Sequence, residues 1–483
     1  MRLSRLLEGI KILETNLESF DAEINSVSAD SRSVQKDDVF ISIAGNSYNG
    51  HRYIGEALQR RAAVIVTEDK SFTGGFPYIR VRSTRAAYAL MWNNLCGRPS
   101  ERMKYIAVTG TNGKSSTVSM TVHLLRASGI KCEGIGTLNA SLTTPDPPEL
   151  YPRLKELADG GCEYVVMEAS SHALEYRKLE PLHFKAGVFT NLTPEHLDFH
   201  KNMRSYAASK ALLFPKCEVT LYNKDDKYAD AVTYGARRRI SYSFLDNSAD
   251  YICHNIRTEL DRSSFDLLTI GELFHITLTL PGRFNVYNAM AACSLVHRLG
   301  MPKELIKEAC ACMPPVKGRL ERVELTDNSY SVFIDYAHTP DALSKLLSTL
   351  REMTRGRLVC VFGCGGDRDR SKRPGMGTIA TALSDYTVIT SDNPRTEDPI
   401  RIIRDILNGV DKTKRYIVIP DRRSAIRYAV HSARAGDVIV FCGKGHENYE
   451  INGWGKTPFD EKKIIQEAHK ERIGKEGNEY NPR

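Results

Sequence analysis

At 483 residues, 41% hydrophobic and 26% charged, the chain has the composition of an ordinary globular protein, with material for about three domains at roughly 150 residues each. No apolar run of about 18 residues occurs, which excludes a membrane-spanning helix, and the net charge of +8 is spread without a basic stripe or interleaved aromatics, which argues against nucleic acid and suits small anionic substrates. The eleven cysteines are odd in number and scattered through apolar contexts, the pattern of reduced cytoplasmic thiols rather than of a disulfide framework.

The N-terminal stretch "MRLSRLLEGIKILETNLESF" carries acids and lacks the uninterrupted apolar core of a signal peptide. Short strands in "DVFISIAG" and "AAVIVTE" then flank a helical "YIGEALQRR". A polar, proline-bearing joint, "CGRPSERMK", closes this first segment, and "MPPVKGRLERVE" forms a second joint. The expected division is therefore 1–100, 101–318 and 319–483. The middle segment alternates strand and helix through "YIAVTG", "YVVMEAS", "AGVFTNL" and "VTLYNKDD". The last repeats the alternation through "SVFIDYAHTP", "RLVCVFGCGGDRDRSKRP", "YTVITSDNPR" and "DVIVFCGKGHE". Such alternation predicts an α/β fold of mainly parallel sheets with helices on both faces.

"VTGTNGKSST" follows the apolar run "YIAV" and precedes the helical "VSMTVHLLRA", the layout of a phosphate-binding loop. Val108 stands where the longer form of the motif has its first glycine, so this is a compact form, Gly110-x-x-Gly113-Lys114-Ser115. Backbone N–H groups from Gly110, Thr111, Asn112, Gly113 and Ser116 would face phosphate oxygens. Lys114 would reach the β/γ-phosphates of ATP, and the Ser115 hydroxyl would hold Mg²⁺. Further along, Glu168 ends the run "YVVM", and His196, Asp198 and His200 crowd "FTNLTPEHLDFH". A carboxylate and an imidazole at strand ends near a phosphate loop are plausible metal ligands; Glu168 and His196 are favoured, while His200 and Asp198 could equally be structural. Cys310 and Cys312 have no partners at zinc spacing and read as structural. In the last segment each apolar strand runs into a loop rich in Gly, Asp, Arg, His or Asn. Ligands in open α/β sheets bind outside the carboxyl ends of strands, so Asp335 to His338, Gly363 to Arg370, Asp392 to Arg395 and Gly443 to Glu447 should gather along one edge.

These motifs, with "LTTPDP", "MEASSHAL", "YAASKALLF", "PGRFNVYNAMAA" and "GRLE" in the same order, resemble the Mur ligase family over nearly the whole chain, including "DSRSVQKDDVFISIAG" near the start. The likeness is nearest to the members that add the third amino acid of the peptide. It implies three domains: an N-terminal UDP-binding domain, a central P-loop ATPase-like domain and a C-terminal Rossmann-like domain that binds the amino acid. It implies an ATP-dependent amide ligase, cytoplasmic and expected to be monomeric. The substrates would be UDP-N-acetylmuramoyl-L-alanyl-D-glutamate and meso-diaminopimelate, joined through an acyl phosphate. An L-lysine-adding enzyme is the alternative; "DNPR" and "GKGHE" argue against a folylpolyglutamate synthase or a D-Ala-D-Ala-adding enzyme.

By the same resemblance Lys210, in "AASK", matches a carbamylated lysine that would join Ser115, Glu168 and His196 around Mg²⁺. Asn288, Arg319, Asp335 and His338 match nucleotide-contacting positions. Ser31 matches a uridine contact, and Thr143, Thr144 and Ser170 match contacts to the muramoyl-dipeptide. The family's arginine after "SSH" falls on Lys178 here, with Arg177 just before it; lysine is not equivalent to arginine at a bidentate contact. Arg368, Asp392, Asn393, Pro394, Arg395, Gly443 and Glu447 would form the diaminopimelate pocket.

Overall fold

The computed structural model describes residues 1–45, 49–71, 75–327 and 329–479. The chain divides into two compact units, Met1–Asp250 with Ala291–Gly300, and Tyr251–Met290 with Met301–Arg483.

The first unit holds two sheets. In one, strands Ile12–Thr15, Tyr78–Val81, Val64–Thr67, Val39–Ile41 and Val27–Ser28 lie in that order, the first pair antiparallel and the others parallel. In the other, Arg239–Ser243, Cys217–Asn223, Phe184–Phe189, Lys104–Thr109, Tyr164–Glu168 and Cys132–Ile135 are parallel throughout. Central strands covered on both faces must be apolar at nearly every position. Tyr164–Glu168 is buried along its whole length, and Lys104–Thr109 is buried from Tyr105 onward.

The second unit carries a six-stranded sheet in the order Glu321–Arg322, Ser331–Asp335, Val438–Cys442, Leu358–Phe362, Tyr386–Ile389 and Tyr416–Val418, parallel except for the first pair. Side chains alternate across it as strand geometry requires. Leu358, Cys360 and Phe362 pack with Leu343, Leu347 and Leu350 of helix Pro340–Met353, while Val359 and Val361 pack with Ile426 and Val430 of helix Arg422–His431 and Ile465 of helix Glu461–Glu479. Caps set the helix starts: Thr339 accepts from Ala342 N at 3.3 Å, and Asp421 from Ser424 N at 2.7 Å.

Two features were not anticipated from the sequence. Strands Tyr251–Thr258, Ser263–Thr269 and Glu272–Leu278 form an antiparallel meander, and Tyr449–Asn452 pairs with Gly455–Pro458 in a hairpin. The meander's alternating burial is a period of two interrupted by charged residues, which the βα rhythm of the flanking segments obscures. All eleven cysteines are free thiols and ten are buried. Among the described residues no helix is long and apolar enough to cross a membrane.

Beneath the six-stranded sheet's carboxyl edge lies a buried ion pair. Arg422 donates to Glu461 Oε1 at 2.8 Å and to the Ser391 and Cys442 carbonyls at 3.2 and 3.0 Å, and both side chains are inaccessible. Removing one member of a buried pair strands the other charge, at a cost of about 3–5 kcal/mol. Glu461→Ala is therefore expected to lower the unfolding free energy of this unit by that amount, read as a fall in its denaturant midpoint. An unchanged midpoint would show that Arg422 reaches water without its partner.

Candidate active site

The phosphate loop is shaped by what it packs against. Gly110 has φ +151°, and a Cβ there would lie 1.9 Å from Thr190 Oγ1. The loop is tied to the end of strand Phe184–Phe189 through Thr111 N to Asn191 O at 2.8 Å, Asn112 N to Asn191 Oδ1 at 2.9 Å, and Thr190 Oγ1 to Asn112 O at 2.7 Å. Gly113, at φ +85°, opens helix Lys114–Ala127 without a side-chain cap. An uncapped helix start of this kind turns backbone N–H groups toward an anion. Ser115 and Ser116 are buried in the first turn.

Two lysines meet at this loop. Lys114 Nζ donates to Gly110 O at 2.9 Å and to Thr111 O at 2.7 Å, and Lys210 Nζ donates to the same Gly110 oxygen at 2.9 Å. Lys210 is 1% exposed and its Nζ sits 4.6 Å from the centre of the Tyr206 ring. Burial, and then the Lys114 charge, push the Lys210 pKa well below the ordinary lysine value. Two ammonium groups on one carbonyl repel, so the arrangement favours a neutral Lys210 amine.

Glu168, at the end of its strand, accepts from Ser115 Oγ at 2.8 Å and from Thr137 N at 2.8 Å and Oγ1 at 3.3 Å. Gly136 makes room for that carboxylate, since a Cβ at 136 would lie 2.2 Å from Oε1. Thr144 Oγ1 donates to Glu168 O at 2.8 Å and accepts from Ser170 N at 3.0 Å; Thr143 accepts from Thr137 Oγ1 at 3.1 Å; Ser170 caps the next helix through Ala173 N. His196 sits at φ +56° with its side chain 48% exposed, its ring 5.0 Å from that of His172. Its pKa is lowered, first by loss of hydration. His172 is pushed further, to about 4, by burial and by the two neighbouring imidazoles. His200 is a structural residue: Nε2 lies 2.8 Å from Ser171 Oγ, Nδ1 3.3 Å from Ser209 Oγ, and the ring stacks on Tyr206. Asp198 is exposed. Among the described residues no three His, Cys, Asp or Glu side chains gather as a metal group on their own.

A cavity of about 710 Å³ opens in the same unit, lined among others by Asp30, Arg85, Trp92, Asp146, Tyr176 and Lys178. Arg85 stacks 4.0 Å from the centre of the Tyr176 ring. Lys178 points inward, with Nζ 2.7 Å from Asp146 Oδ1 and 3.2 Å from Thr144 O. Arg177 takes a left-handed backbone, φ +52°, and directs its guanidinium outward to Glu180 at 3.5 Å. Of the two candidates, Lys178 is thus the one at the cavity. Ser31 is buried and donates to Glu56 at 2.7 Å, while its neighbours Asp30 and Ser33 line the space.

In the second unit the four expected loops emerge from adjacent strands whose last residues are in register, Asp335 and Phe362 each against Cys442, and Phe362 against Ile389. Asp335 accepts from Leu320 N and Ala337 N, both at 2.7 Å, and burial raises its pKa. Arg319 stacks 4.7 Å from the Tyr336 ring centre, and His338 Nδ1 lies 2.8 Å from Tyr336 O. Asn288 is buried in helix Arg283–Arg298.

Asn393, Pro394 and Arg395 form a turn fixed on both sides. Arg395, at φ +54°, donates through its backbone to Ile451 O at 3.0 Å and through Nη1 to Gly366 O at 2.8 Å. Its guanidinium does not pair with Glu397, which instead takes Arg373 at 2.9 Å and Arg370 at 2.8 Å. Asn393 Nδ2 donates to Glu447 Oε2 at 2.7 Å. Glu447 is half-buried with a raised pKa, first through burial and then through nearby Asp392. Gly443, at φ +109°, leaves 2.8 Å between a would-be Cβ and Asp392 Oδ2. Arg368 is exposed but close, since a Cβ on Gly365 would lie 3.8 Å from its Cγ and 2.9 Å from Arg395 Nη1. Gly136, Thr137 and His172 escaped the sequence reading; only His172, inside "MEASSHAL", left any trace there.

Residues 108–296 match the family description "Mur ligase middle domain", residues 318–445 "Mur ligase, glutamate ligase domain", and residues 23–89 "Mur ligase family, catalytic domain". The UDP-N-acetylmuramoyl-L-alanyl-D-glutamate--2,6-diaminopimelate ligase of Syntrophomonas wolfei is 41% identical over 482 residues, 96% of this chain and 98% of that protein. The chain belongs to the Mur ligase family. The enzyme of the same name from Clostridium botulinum is 41% identical over 464 residues, 93% of this Mur ligase and 96% of its relative. A solved structure of a UDP-N-acetylmuramoyl-L-alanyl-D-glutamate--2,6-diaminopimelate ligase superposes with a TM-score of 0.70 at 30% identity, covering 98% of this chain and 99% of the other. The MurF ligase of Thermotoga maritima in complex with ADP shares the fold at a TM-score of 0.62 and 16% identity, over 94% of this chain and 98% of its own. This Mur ligase is therefore an ATP-dependent enzyme that forms an amide bond.

Gly136→Ala tests whether the Glu168 position matters. The new methyl must displace the carboxylate while the rest of the strand end is unchanged. A misplacement of about 1 Å can cost roughly 10²-fold in rate. Phosphate release is expected to fall by about that factor with little change in melting temperature; wild-type turnover would show that the carboxylate can move without consequence.

Proposed function

We propose that this ligase joins meso-2,6-diaminopimelate to the D-glutamate side-chain carboxylate of UDP-N-acetylmuramoyl-L-alanyl-D-glutamate. The curated relatives that match nearly end to end carry this activity in their names. The observation that carries the substrate choice is the turn at Arg395, whose guanidinium is held by carbonyl oxygens rather than by an acid, beside the Glu447 carboxylate. The distal end of diaminopimelate offers a carboxylate for Arg395 and an ammonium for Glu447, with Arg368 and the Asp392, Asn393, Pro394 and Gly443 loops completing the pocket. L-Lysine, the second reading, would bring no carboxylate to Arg395.

Carboxylate and amine do not condense usefully in water, so ATP first activates the acid. A carboxylate oxygen takes the γ-phosphoryl group, ADP leaves, and the amine attacks the resulting acyl phosphate. The tetrahedral adduct expels phosphate and the nitrogen loses its proton. Lys114 and the N–H groups from Gly110 to Ser116 neutralise charge on the phosphates. Asn288, Arg319, Asp335 and His338 hold the nucleotide. Lys178, Thr143, Thr144 and Ser170 hold the dipeptide end, and the loop around Ser31 holds the uridine end.

The donors near the loop suit a hard divalent cation, because Glu168 supplies carboxylate oxygens and already adjoins the Ser115 hydroxyl. Mg²⁺ would be held by Ser115, Glu168, His196 and Lys210, and would supply charge neutralisation at the transferred phosphoryl group. An ammonium on Lys210 would repel it. A carbamate there, formed by the neutral amine with CO₂, is an anionic oxygen ligand. We place the domain boundaries at 1–100, 101–318 and 319–483, a reading supported by a separate sheet within each stretch. The enzyme works in the cytoplasm as a monomer, in keeping with free, mostly buried thiols.

Lys210→Ala is expected to be nearly inactive, with partial recovery in formate, which restores an anionic oxygen. An unmodified lysine by intact mass in active, bicarbonate-equilibrated enzyme would overturn the carbamate. The activity itself is tested by phosphate release that requires ATP, the UDP-dipeptide and an amino acid together, assayed across diaminopimelate, lysine and ornithine. Sites that leave a buried group unpaired can reject an analogue by about 10⁴-fold. The wild type should barely use L-lysine, and Arg395→Ala should lose most activity with diaminopimelate through a raised KM. Comparable kcat/KM for the two amino acids would show that the enzyme does not select diaminopimelate.

A further inference from the structure

Lys444 belongs to "GKGHE" but makes none of the contacts assigned above. Its side chain is 0% exposed. Nζ donates to Asn393 Oδ1 at 2.9 Å and to Tyr449 O at 2.9 Å, and lies 3.5 Å from Asp392 Oδ1. That Asp392 oxygen is buried with no hydrogen-bond partner, so the Lys444 charge is its nearest compensation. Asn393 Oδ1 also accepts from Ile451 N at 2.9 Å. With two donors on its oxygen, the Asn393 amide can only turn its NH₂ the other way, which is where Glu447 Oε2 sits at 2.7 Å. The same turn runs on through Pro394 to Arg395, whose backbone N–H is pinned to Ile451 O. One buried ammonium therefore stands behind both the Glu447 anchor and the turn that aims Arg395.

We propose that Lys444 is a positioning residue for amino-acid selection: held under the Asp392–Arg395 turn, it sets the spacing between the Glu447 carboxylate and the Arg395 guanidinium without touching the substrate. The inference rests on the diaminopimelate reading. A zwitterionic distal end is recognised by two opposite charges at a fixed separation. Without the Lys444 donors, the Asn393 amide oxygen keeps only the Ile451 N–H, and the amide can rotate. Glu447 then loses its fixed donor, and Asp392 is left as an uncompensated buried carboxylate. Diaminopimelate uses both charges, while lysine uses only the acid, so loosening their spacing should harm the first more than the second.

The test is steady-state kinetics of the full-length enzyme with meso-diaminopimelate and with L-lysine, comparing wild type, Lys444→Met, which keeps the length and removes the charge, and Lys444→Gln. The expected result is a KM for diaminopimelate raised about ten-fold or more and a diaminopimelate-to-lysine kcat/KM ratio lowered by about the same factor, with KM for ATP and for the UDP-dipeptide within about two-fold of wild type. A partly unfolded preparation lowers every apparent kcat alike and moves neither KM nor the ratio, so a merely structural role would not give this pattern. Partial recovery of the ratio in Lys444→Gln, which retains donors, supports the inference further. A wild type that prefers diaminopimelate, with folded variants of unchanged KM and ratio, overturns the inference alone. Failure of both variants to fold overturns it in favour of a stability role. A wild type that takes lysine as readily overturns the diaminopimelate reading and this inference with it.

Discussion

Parallel strand pairing is the constraint on which each half of this molecule depends. Hydrogen bonds in a parallel ladder are evenly spaced, so neighbouring strands that start together end together. Phe362 lies against both Cys442 and Ile389, and Asp335 against Cys442. Every loop that leaves those ends therefore enters the same space. In the first unit, Val108 pairs with Glu168 and Val188, which brings the phosphate loop, the Glu168 carboxylate and the Thr190–Asn191 turn to one level. The helices on each face are what allow such strands to exist, since a parallel sheet must be covered on both sides.

Electrostatics then divide the labour between the edges. At the phosphate loop the local charge is positive, from an uncapped helix start and from Lys114, and Lys210 is buried so close that its own ammonium is disfavoured. Beside the same loop the Glu168 carboxylate accepts from the Ser115 hydroxyl, so the positive loop adjoins a fixed anion. At the six-stranded sheet four charges are buried within or below the loops, Asp392, Lys444, Arg422 and Glu461, while Arg395 and Glu447 are only partly buried. Buried charges are costly unless paired and hydrogen-bonded. Their presence at the strand ends suits orientation better than stability, because a fixed charge has a direction that an apolar side chain lacks.

Local chemistry made much of this legible in the chain itself. Strand, glycine turn, lysine and hydroxyl, then helix, is a local pattern, and the structure has Lys104–Thr109 running through Gly110 and Gly113 into Lys114–Ala127. The four polar loops of the last segment were predictable as neighbours, because alternating strands and helices leave a parallel sheet as the natural arrangement. Apolar patterning alone located those strands. The antiparallel meander at 251–278 was missed because charged residues break its alternation, and the hairpin at 449–458 because its strands are short and neither buries one face.

What the sequence by itself determined, then, was the set of chemical groups and the order of elements that present them: a phosphate loop, a carboxylate after it, and a run of Gly-, Asp- and Arg-rich strand ends. Only the tertiary structure decided which of two adjacent cations, Arg177 or Lys178, faces the cavity, because a positive φ at 177 turns that side chain outward. Only it showed that His200 is spent on Ser171 and Ser209, that Gly136 is small for the sake of Glu168, and that Lys444 lies under Asn393. Each of these depends on residues tens of positions apart. Sequence spacing specifies neighbours along a helix or a strand, whereas the direction of a buried charge is set by whatever the fold packs around it.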